Sequence, residues 1–258
     1  MTVLSQTTQL GIRCAADILH NSQSTVVLSG AGISKPSGIP DFRSVDGGLW
    51  QRYDPYEVAS LTAFRHHPER FFEWMHSLAM NLYGAQPNVA HIALARLEQA
   101  GYIHKVITQN IDSLHQRAGS RDVIEVHGSL RSLTCVLCYT QYDSSDYLKS
   151  FLEHKQIPYC PECGGVLKPD LVLFGEQLPA RAWLAALQAS KNCDAMIVIG
   201  SSLEVLPVAG LPMRAVDKGA HLILVNNMPT YIDVRADVAI HEDLTDILPL
   251  IAKEILGD

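Results

Sequence analysis

Short runs of apolar residues are the feature that most constrains the fold of this chain. Six of them, each five to seven residues long, lie at 25–30, 103–108, 122–127, 195–200, 220–226 and 236–240. Stretches with helix-like patterns lie at 2–21, 68–83, 89–100, 181–190, 209–218 and 244–256. Continuous apolar strands separated by helices are typical of a parallel sheet covered on both faces. The pattern therefore predicts an α/β fold with a six-stranded parallel sheet.

Two segments interrupt this alternation of strands and helices. Residues 35–90 separate the first two strands by much more than the single helix that a crossover needs. Residues 129–170 carry cysteines and turn residues and have no long apolar run. We predict that these segments form a smaller inserted domain with a helical part and a cysteine-bearing part. The larger domain then comprises 1–34, 91–128 and 171–258, and the smaller one comprises 35–90 and 129–170.

The composition and charge of the chain argue against some classes of function. Of its 258 residues, 47% are apolar and 18% are charged, as in a globular protein with a sizeable core. A net charge of −7 argues against a nucleic-acid-binding protein, which needs a basic face. Residues 1–10 lack the features of a signal peptide, and no apolar run is long enough to cross a bilayer. We therefore expect a cytoplasmic protein, in a compartment that keeps thiols reduced, without membrane or nucleic-acid partners.

Four cysteines form two pairs with the spacing of a zinc site. Cys135 and Cys138 make one C-x-x-C turn, Cys160 and Cys163 make the other, and twenty-one residues separate the turns. Two such turns present four thiolates to one point, which suits the tetrahedral coordination of Zn²⁺. The alternatives are two local disulfides, disfavoured in the cytosol, and a redox dithiol, which needs only one pair. Because four protein ligands leave the ion no open position, we predict one structural zinc.

A glycine-rich loop follows the first predicted strand. Residues 29–34 read Ser-Gly-Ala-Gly-Ile-Ser, and glycines there let backbone N–H groups approach a pyrophosphate. The motif alone is weak, because G-x-G after a strand is often only a tight turn. It also lacks the third glycine of the dinucleotide-binding fingerprint, has Pro36 in the loop, and has no second strand with an acidic end soon afterwards. A common dehydrogenase is therefore disfavoured.

Polar residues collect at the ends of the predicted strands, where ligands of open α/β sheets bind. They are Gln109, Asn110 and Asp112 after the second strand, His127 at the end of the third, Gly200, Ser201 and Ser202 around the end of the fourth, and Asn226 at the end of the fifth. Among eleven histidines we single out His127, because an imidazole at this edge could act as a general base near neutral pH. Nearer the glycine loop, Phe42 could cover a planar ring and Arg43 could bind a phosphate or carboxylate.

Together these motifs resemble those of the sirtuins, the NAD-dependent protein lysine deacylases. The matching segments, in family order, are 30–34, 38–43, 109–112, 127–128, the four cysteines, 174–176, 200–203 and Asn226. The resemblance covers most of the chain and implies a minimal catalytic core of bacterial type. It also implies that the larger domain is Rossmann-like and that NAD lies in the crevice between it and the smaller zinc domain.

The resemblance implies roles for named residues. Gly30, Ala31 and Gly32, with Ser201 and Ser202, would hold the phosphates of NAD. Gln109 and Asn226 would contact its riboses, and Asn110, Ile111 and Asp112 would line the nicotinamide pocket. The cofactor site would also include Ser34, Asp41, Arg43 and Gly200, with Phe42 shielding the ring. The substrate residues would be Val172, Phe174, Gly175, Glu176, Val205 and Leu206, on two short edges between which an acyl-lysine peptide lies extended.

The reaction of the family implies that His127 and Asn110 are the catalytic residues. The amide oxygen of the acyl-lysine attacks the ribose carbon as nicotinamide leaves, and His127 takes a proton relayed from the ribose hydroxyls. The implied products are nicotinamide, free lysine and O-acyl-ADP-ribose. An unmodified lysine is cationic and would enter an apolar tunnel only at high cost, whereas an acylated lysine is neutral. The implied partners are acylated-lysine proteins or peptides, bound by a monomer.

The chain departs from the family pattern at a few positions. Ser29 and Ser201 stand where threonine is common, and Lys35-Pro36 replaces a usually small or acidic pair in the cofactor loop. Relatives that remove acidic acyl groups carry Tyr-x-x-Arg at the positions of Met75 and Leu78. Because no guanidinium is there to pair with a succinyl carboxylate, we expect acetyl or longer apolar acyl groups. The alternative is that both residues simply belong to the core.

Two other functions fit part of the pattern. The same site could transfer ADP-ribose to a protein or hydrolyse NAD, and a degenerate relative could be a binding module without activity. The presence of His127, Asn110 and Asp112 together argues against a module without activity.

Overall fold

The computed structural model describes residues 4–41 and 48–257. Its strands are β1 (Thr25–Ser29), β2 (Lys105–Thr108), β3 (Val123–Glu125), β4 (Gly128–Cys135), β5 (Gln141–Asp143), β6 (Leu167–Leu171), β7 (Ala195–Ile199), β8 (His221–Val225) and β9 (Val238–Ile240). Its α-helices are α1 (Gln6–Asn21), α2 (Pro55–Val58), α3 (Leu61–His66), α4 (Pro68–Gly84), α5 (Val89–Gln99), α6 (Leu114–Ala118), α7 (Ser145–His154), α8 (Ala180–Asn192), α9 (Leu211–Val216) and α10 (Leu244–Leu256). Short 3₁₀ helices lie at Ala31–Ser37, Leu49–Gln51, Val208–Gly210 and Asp233–Arg235.

The chain divides into two compact units. The larger unit comprises Met1–Ser37, Gln86–Val126 and Arg181–Asp258, and the smaller one comprises Gly38–Ala85 and His127–Ala180. The domain bounds that we predicted differ from these at each junction, for example 171 against 181 for the last return to the larger unit. The bounds that we derived from the sequence remain a prediction of how the segments group into domains.

The larger unit is built on a six-stranded parallel sheet, as predicted. Its strand order is β3-β2-β1-β7-β8-β9, and every predicted apolar run contains one of these strands. The strand order reverses between the neighbours β1 and β7, so the chain leaves β1 in one direction and β7 in the other. In such sheets the carboxyl ends of the two central strands form the usual ligand site.

Helices α1, α5 and α10 pack together and share one hydrophobic core with the sheet. Leu19, Leu94 and Ile247 are fully buried in this core, as are Val27 and Ile199 of the two central strands. Burial of one such side chain contributes about 1.5–3 kcal/mol. Because the core surrounds β1 and β7, it fixes the positions at which the loops after them begin.

The smaller unit contains a three-stranded antiparallel sheet, in the order β5-β4-β6, and the helices α2, α3, α4 and α7. Its helical part is held by aromatic side chains. Phe64, Phe71 and Phe72 contact one another with ring centroids 5.0–5.9 Å apart, and Phe72 packs edge-on against Phe151 of α7. The four cysteines belong to the part of the unit that contains this sheet.

The strand predictions missed β4, β5 and β6 of the smaller unit, and the helix predictions were also incomplete. The run at 209–218 becomes a 3₁₀ turn followed by the short helix α9, in which Pro212 cannot donate a backbone hydrogen bond. The N-terminal helix begins at Gln6 because the Ser5 hydroxyl caps it by accepting from Thr8 N. Helices α2, α3 and α6 were not predicted, because with four to six residues each is too short to show a clear period. The ten-residue helix α7 was not predicted either. Within the described residues, no helix is long and apolar enough to cross a membrane.

Candidate active site

The loops after β1 and β7 touch each other through their backbones. Gly30 N–H donates to Ile199 O at 3.0 Å and Gly32 N–H to Gly200 O at 2.8 Å. A Cβ atom on Gly32 would lie 2.7 Å from the Gly200 Cα and O atoms. Gly200 itself has φ +55° and faces the Gly32 and Ile33 backbone. These glycines are therefore needed for the contact between the loops, in addition to the role toward a phosphate that the sequence suggested.

A buried polar cluster joins the loop after β1 to the loop after β2. Asn110 Nδ2 donates to Gly30 O at 3.1 Å and to Ser34 Oγ at 3.2 Å. Ser34 Oγ donates in turn to Asp112 Oδ2 at 2.7 Å. Burial raises the pKa of Asp112, although the hydrogen bonds from Leu114 N and Ser34 oppose this shift. The cluster fixes three of the residues predicted to bind the cofactor relative to one another.

A second layer of polar groups lies below this cluster. Ser29 Oγ donates to Thr108 Oγ1 at 2.9 Å, and Thr108 Oγ1 also accepts from Asn110 N at 3.1 Å. Ser29 Oγ lies 2.8 Å from His115 Nε2, and the rings of His115 and His91 are 5.0 Å apart. Burial lowers the pKa of His115 to about 3 and that of His91 to about 4, so both rings are neutral. This layer was not predicted, because the residue type alone does not tell a buried histidine from an exposed one.

Gln109 links the loop after β2 to the loop after β7. Its Nε2 donates to Ser201 Oγ at 2.9 Å, and Ser201 Oγ also accepts from Leu203 N at 3.3 Å. Ser201 is buried, whereas Ser202 is exposed. Two predicted cofactor residues thus contact each other directly, and the next serine faces solvent.

Asn226 lies at the carboxyl end of β8. Its backbone N–H donates to Ile240 O at 3.1 Å, and its Nδ2 donates to Met228 O at 2.6 Å. Since a carbonyl can only accept, this contact fixes the orientation of the side-chain amide. The Asn226 Oδ1 atom is therefore the side-chain group left to accept a hydroxyl.

His127 lies in a tight turn between β3 and β4 and is the first residue of the second segment of the smaller unit. Its carbonyl accepts from Val172 N at 2.8 Å. Gly128 follows with φ +75°, and a Cβ there would lie 2.0 Å from Asp170 O. Only glycine fits at this position, so the turn that carries His127 is fixed by its neighbour.

The segment from Val172 to Glu176 is one of the two edges predicted to bind the substrate peptide. Phe174 N donates to Ala59 O at 2.9 Å, and Leu61 N donates to Phe174 O at 3.0 Å. Both backbone groups of Phe174 are therefore already paired within the smaller unit. A peptide strand at this edge would have to pair through Gly175 and the flanking residues instead.

A nearly buried ion pair supports the same segment, and sequence reasoning missed it. Lys168 Nζ lies 3.0 Å from Glu176 Oε2, and both side chains are at most one-fifth exposed. The ammonium also donates to Pro169 O at 3.2 Å and Leu171 O at 2.9 Å, while Glu176 Oε2 accepts from Leu173 N at 2.8 Å. Each end of the segment is thus tied to Lys168.

The four cysteine sulfurs lie together, all within 4.8 Å of one another. Cys135 Sγ is 3.4 Å from Cys163 Sγ, and Cys138 Sγ is 3.6 Å from Cys160 Sγ. A tetrahedron with Zn–S bonds of about 2.3 Å has edges of about 3.8 Å, so this arrangement fits a zinc ion. The remaining two cysteines, Cys14 and Cys193, lie outside the group.

The remaining predicted residues differ in how fully they are described. Phe42 and Arg43 lie outside the described residues. Asp41 lies in the smaller unit, where its carbonyl accepts from Leu49 N at 3.0 Å. Ala31 and Ile111 are half-buried in the larger unit, and Val205 and Leu206 belong to that unit too, where Leu206 is 78% exposed.

Comparisons with known proteins point to one family. A sequence model of the Sir2 family matches residues 30–207. An NAD-dependent protein deacylase 2 from Archaeoglobus fulgidus is 49% identical over 245 residues, which cover 95% of this chain and 96% of that protein. A structure described as a basis for the mechanism and regulation of Sir2 enzymes has a TM-score of 0.91 at 47% identity, covering 96% of this chain and 99% of that chain. A Sir2 variant with a deacetylated p53 peptide and 3′-O-acetyl-ADP-ribose has a TM-score of 0.88 at 40% identity, covering 94% and 98%.

Proposed function

The chain belongs to the Sir2 family, and from this premise we propose that it removes acetyl and other apolar acyl groups from lysine side chains of proteins, with NAD as co-substrate. The products are nicotinamide, deacylated lysine and O-acyl-ADP-ribose. The observation that carries the proposal is the buried cluster of Asn110, Ser34 and Asp112, which preorganises polar groups at the carboxyl edge of the sheet. A relative at 49% identity is an NAD-dependent deacylase, and a related structure contains an acetylated ADP-ribose.

The larger unit supplies groups of the kind that NAD needs. Ser34, Asn110, Ser201 and Asn226 are buried polar residues at or beside the carboxyl ends of the strands, which fits a ligand with many hydroxyl and phosphate oxygens. We assign Gly30, Ala31, Gly32, Ser201 and Ser202 to the phosphates, and Gln109 and Asn226 to the riboses. When bound, NAD supplies a ribose carbon from which nicotinamide leaves.

Asp112 and Asn110 orient the nicotinamide end of the co-substrate, with Ile111 beside them. The Asp112 carboxyl accepts the carboxamide N–H, and the Ser34 hydroxyl holds it in place for that contact. Asn110 contributes through its fixed amide, whose Nδ2 is already bonded to Gly30 O and Ser34 Oγ. Gly200, Asp41, Phe42 and Arg43 complete the proposed cofactor site.

His127 acts as the general base. Its imidazole would accept a proton relayed from a ribose hydroxyl of the bound NAD. The turn that carries it is held by Val172 N on the His127 carbonyl and by the glycine at position 128. The main-chain position of the base therefore does not depend on substrate.

We propose that the substrate peptide binds in extended form to Val172, Phe174, Gly175 and Glu176 and to Val205 and Leu206. Recognition through backbone atoms leaves the peptide sequence largely free. Met75 and Leu78 are 2% and 3% exposed, so both belong to the core of the smaller unit, which was the alternative interpretation of these positions. As apolar side chains, neither provides a charge for an acidic acyl group. This supports a preference for acetyl and longer apolar acyl groups.

We also propose that the protein acts in the cytoplasm as a monomer, without nucleic-acid partners. All six cysteines are free of disulfides, as suits a reducing compartment. Every residue in the proposed site comes from one chain, so a second copy is not needed to complete it.

Product analysis tests the proposed function. The protein is incubated with NAD and a panel of acetyl-, butyryl- and succinyl-lysine peptides, and nicotinamide, free lysine and O-acyl-ADP-ribose are measured by mass spectrometry. We expect equal amounts of the three products from acetyl and butyryl peptides and much less from succinyl. His127→Ala should remove this activity, whereas His154→Ala, at an exposed histidine of the same unit, should not.

Two outcomes would contradict this proposal. Label from NAD on protein without O-acetyl-ADP-ribose would favour ADP-ribosyl transfer, and nicotinamide release that ignores the peptide would favour NAD hydrolysis. Full deacylation by His127→Ala would disprove the role of the base.

A further inference from the structure

A histidine–aspartate pair lies directly beside Asn226. His241 is the first residue after β9, and the hydrogen bond from Asn226 N to Ile240 O places it next to the end of β8. Its Nδ1 atom lies 2.8 Å from Asn226 O, and its Nε2 atom lies 2.8 Å from Asp233 Oδ2. Sequence reasoning gave neither His241 nor Asp233 a role.

Both partners of the His241 ring are acceptors. The Asn226 carbonyl has no proton to give, and hydrogen bonds from Thr230 and the charge of His241 hold the pKa of Asp233 below its ordinary value despite the opposing effect of burial. Asp233 is therefore a carboxylate, which also only accepts. His241 therefore bridges the Asn226 carbonyl and the Asp233 carboxylate through its two ring nitrogens.

The bridge closes the loop from Asn226 to Asp233. Asp233 Oδ1 accepts from Thr230 N and from Thr230 Oγ1, each at 2.7 Å. Met228 within the loop is 70% exposed, and Ile232 is its fully buried apolar residue. Since the loop buries little apolar surface, polar contacts have a large share in holding its shape.

The bridge bears directly on the group that Asn226 offers to a ligand. The Asn226 Nδ2 atom is bound to Met228 O inside this same loop, so its Oδ1 direction depends on the loop conformation. Resting on the function proposed above, we propose that His241 and Asp233 are positioning residues that hold Asn226 Oδ1 for a ribose hydroxyl of NAD.

Conservative substitutions separate the two bonds of the bridge. In His241→Asn the side-chain amide replaces Nδ1 and keeps the bond to Asn226 O, whereas in His241→Gln it replaces Nε2 and keeps the bond to Asp233. Asp233→Ala removes the partner of Nε2 and the cap on Thr230. Each variant should bind ADP-ribose about five- to tenfold more weakly, because each loses one hydrogen bond of the bridge at a partly exposed site.

The chain provides a matched control at the other end of the same strand. His221 begins β8, and its Nδ1 lies 3.1 Å from Asp237 Oδ1, in a pair that resembles the first but lies far along the strand from Asn226. We expect His221→Gln to bind ADP-ribose like the wild type and to have a melting temperature comparable to those of the His241 variants.

Calorimetry with ADP-ribose and steady-state kinetics decide the proposal. We expect a raised Kd for ADP-ribose and a raised KM for NAD in the His241 and Asp233 variants, with kcat and the KM for acetyl-peptide within about twofold of wild type. Unchanged ADP-ribose affinity in both His241→Gln and Asp233→Ala would overturn the proposal, as would an equal loss in His221→Gln. Wild-type protein that neither binds ADP-ribose nor deacylates would instead refute the proposed function.

Discussion

At the scale of single residues, the glycines of the loop after β1 are needed for the packing of the protein even when no ligand is bound. The loops after β1 and β7 pack backbone against backbone at Gly30, Gly32 and Gly200. Sequence reasoning attributed the G-x-G motif to the approach of a phosphate. The structure adds that the loops themselves leave no room for a side chain.

We predict that Gly32→Ala destabilises the protein without any ligand present. The new methyl group would lie 2.7 Å from the Gly200 backbone. Such overpacking lowers the free energy of unfolding by about 1–3 kcal/mol. Urea denaturation of the free protein measures the change. Gly84→Ala is the control, because a Cβ there meets no atom within 4 Å and helix propensity favours alanine. Equal stability of the two variants would show that Gly32 serves the ligand alone.

The buried histidines below the cofactor loop also act as single residues. His91 has a pKa of about 4 in the folded protein against 6.5 in the unfolded chain, because burial disfavours its charged form. A group with a lowered folded pKa takes up a proton on unfolding at any pH between these values. Its contribution to stability is therefore complete above pH 6.5 and is lost as the pH falls toward 4.

We predict that His91→Leu reduces the loss of stability in acid. Between pH 7 and pH 5 the wild type should lose about 2 kcal/mol through this residue, and the variant should lack that part of the decline. Urea denaturation at both pH values tests this, with His154→Leu at an exposed position as the control. A parallel decline in wild type and His91→Leu would contradict the prediction.

At the scale of elements, the segment from Val172 to Glu176, which we propose as a substrate edge, is supported from within its own unit. The strand β6 leads into it, Ala59 and Leu61 pair with Phe174, and Lys168 ties its beginning to its end. Little of this support is visible in the sequence, where Lys168 and Glu176 are two ordinary charged residues eight positions apart. The pair matters because it is largely withdrawn from solvent.

We predict that Lys168→Met weakens peptide binding and stability together. The methionine keeps most of the side-chain volume but leaves two carbonyls and the Glu176 carboxylate without their donor, at a cost of about 1–3 kcal/mol. The KM for acetyl-peptide should rise several-fold, while the Kd for ADP-ribose stays unchanged.

The exposed ion pair of Lys105 with Asp122 provides the comparison for Lys168→Met. Both of its side chains are more than 40% exposed, so Lys105→Met should cost less than about 1 kcal/mol. Denaturation curves and steady-state kinetics with acetyl-peptide, measured on both variants, test this prediction. A Lys168→Met protein as stable and as active as Lys105→Met would show that the pair is not needed.

At the scale of the whole molecule, the two units depend on different sources of stability. The larger unit has a continuous core of strands and helices, whereas the cysteine-bearing part of the smaller unit has a small cluster around Leu133, Cys135, Cys160 and Leu167. Such a cluster is too small to hold a fold without further support. Coordination of a zinc ion by the four thiolates would supply that support.

We predict that removal of zinc abolishes deacylation indirectly. Metal analysis should find one zinc per chain, and a strong chelator or Cys138→Ser should unfold the cysteine-bearing part and stop the reaction. Near-UV circular dichroism, metal content and product formation are measured on the same samples. A metal-free protein that keeps both its activity and its spectrum would contradict this prediction.

The order of residues along the chain was enough to predict the central sheet, the grouping of four cysteines and the polar residues at the strand ends. Each follows from the local sequence. A buried parallel strand is continuously apolar, and two C-x-x-C turns have the spacing of a zinc site. The family resemblance added roles for His127, Asn110 and Asp112, which local order alone does not assign.

The side chains that support those residues are seen only in the folded structure. His115 below Ser29, Lys168 at Glu176 and His241 at Asn226 are separated from their partners by 86, 8 and 15 positions. Nothing in the local sequence marks such pairs, because burial and hydrogen bonding between distant residues arise only when strands and loops come together. For this reason the strand ends could be predicted from the sequence, whereas the side chains that support them could not.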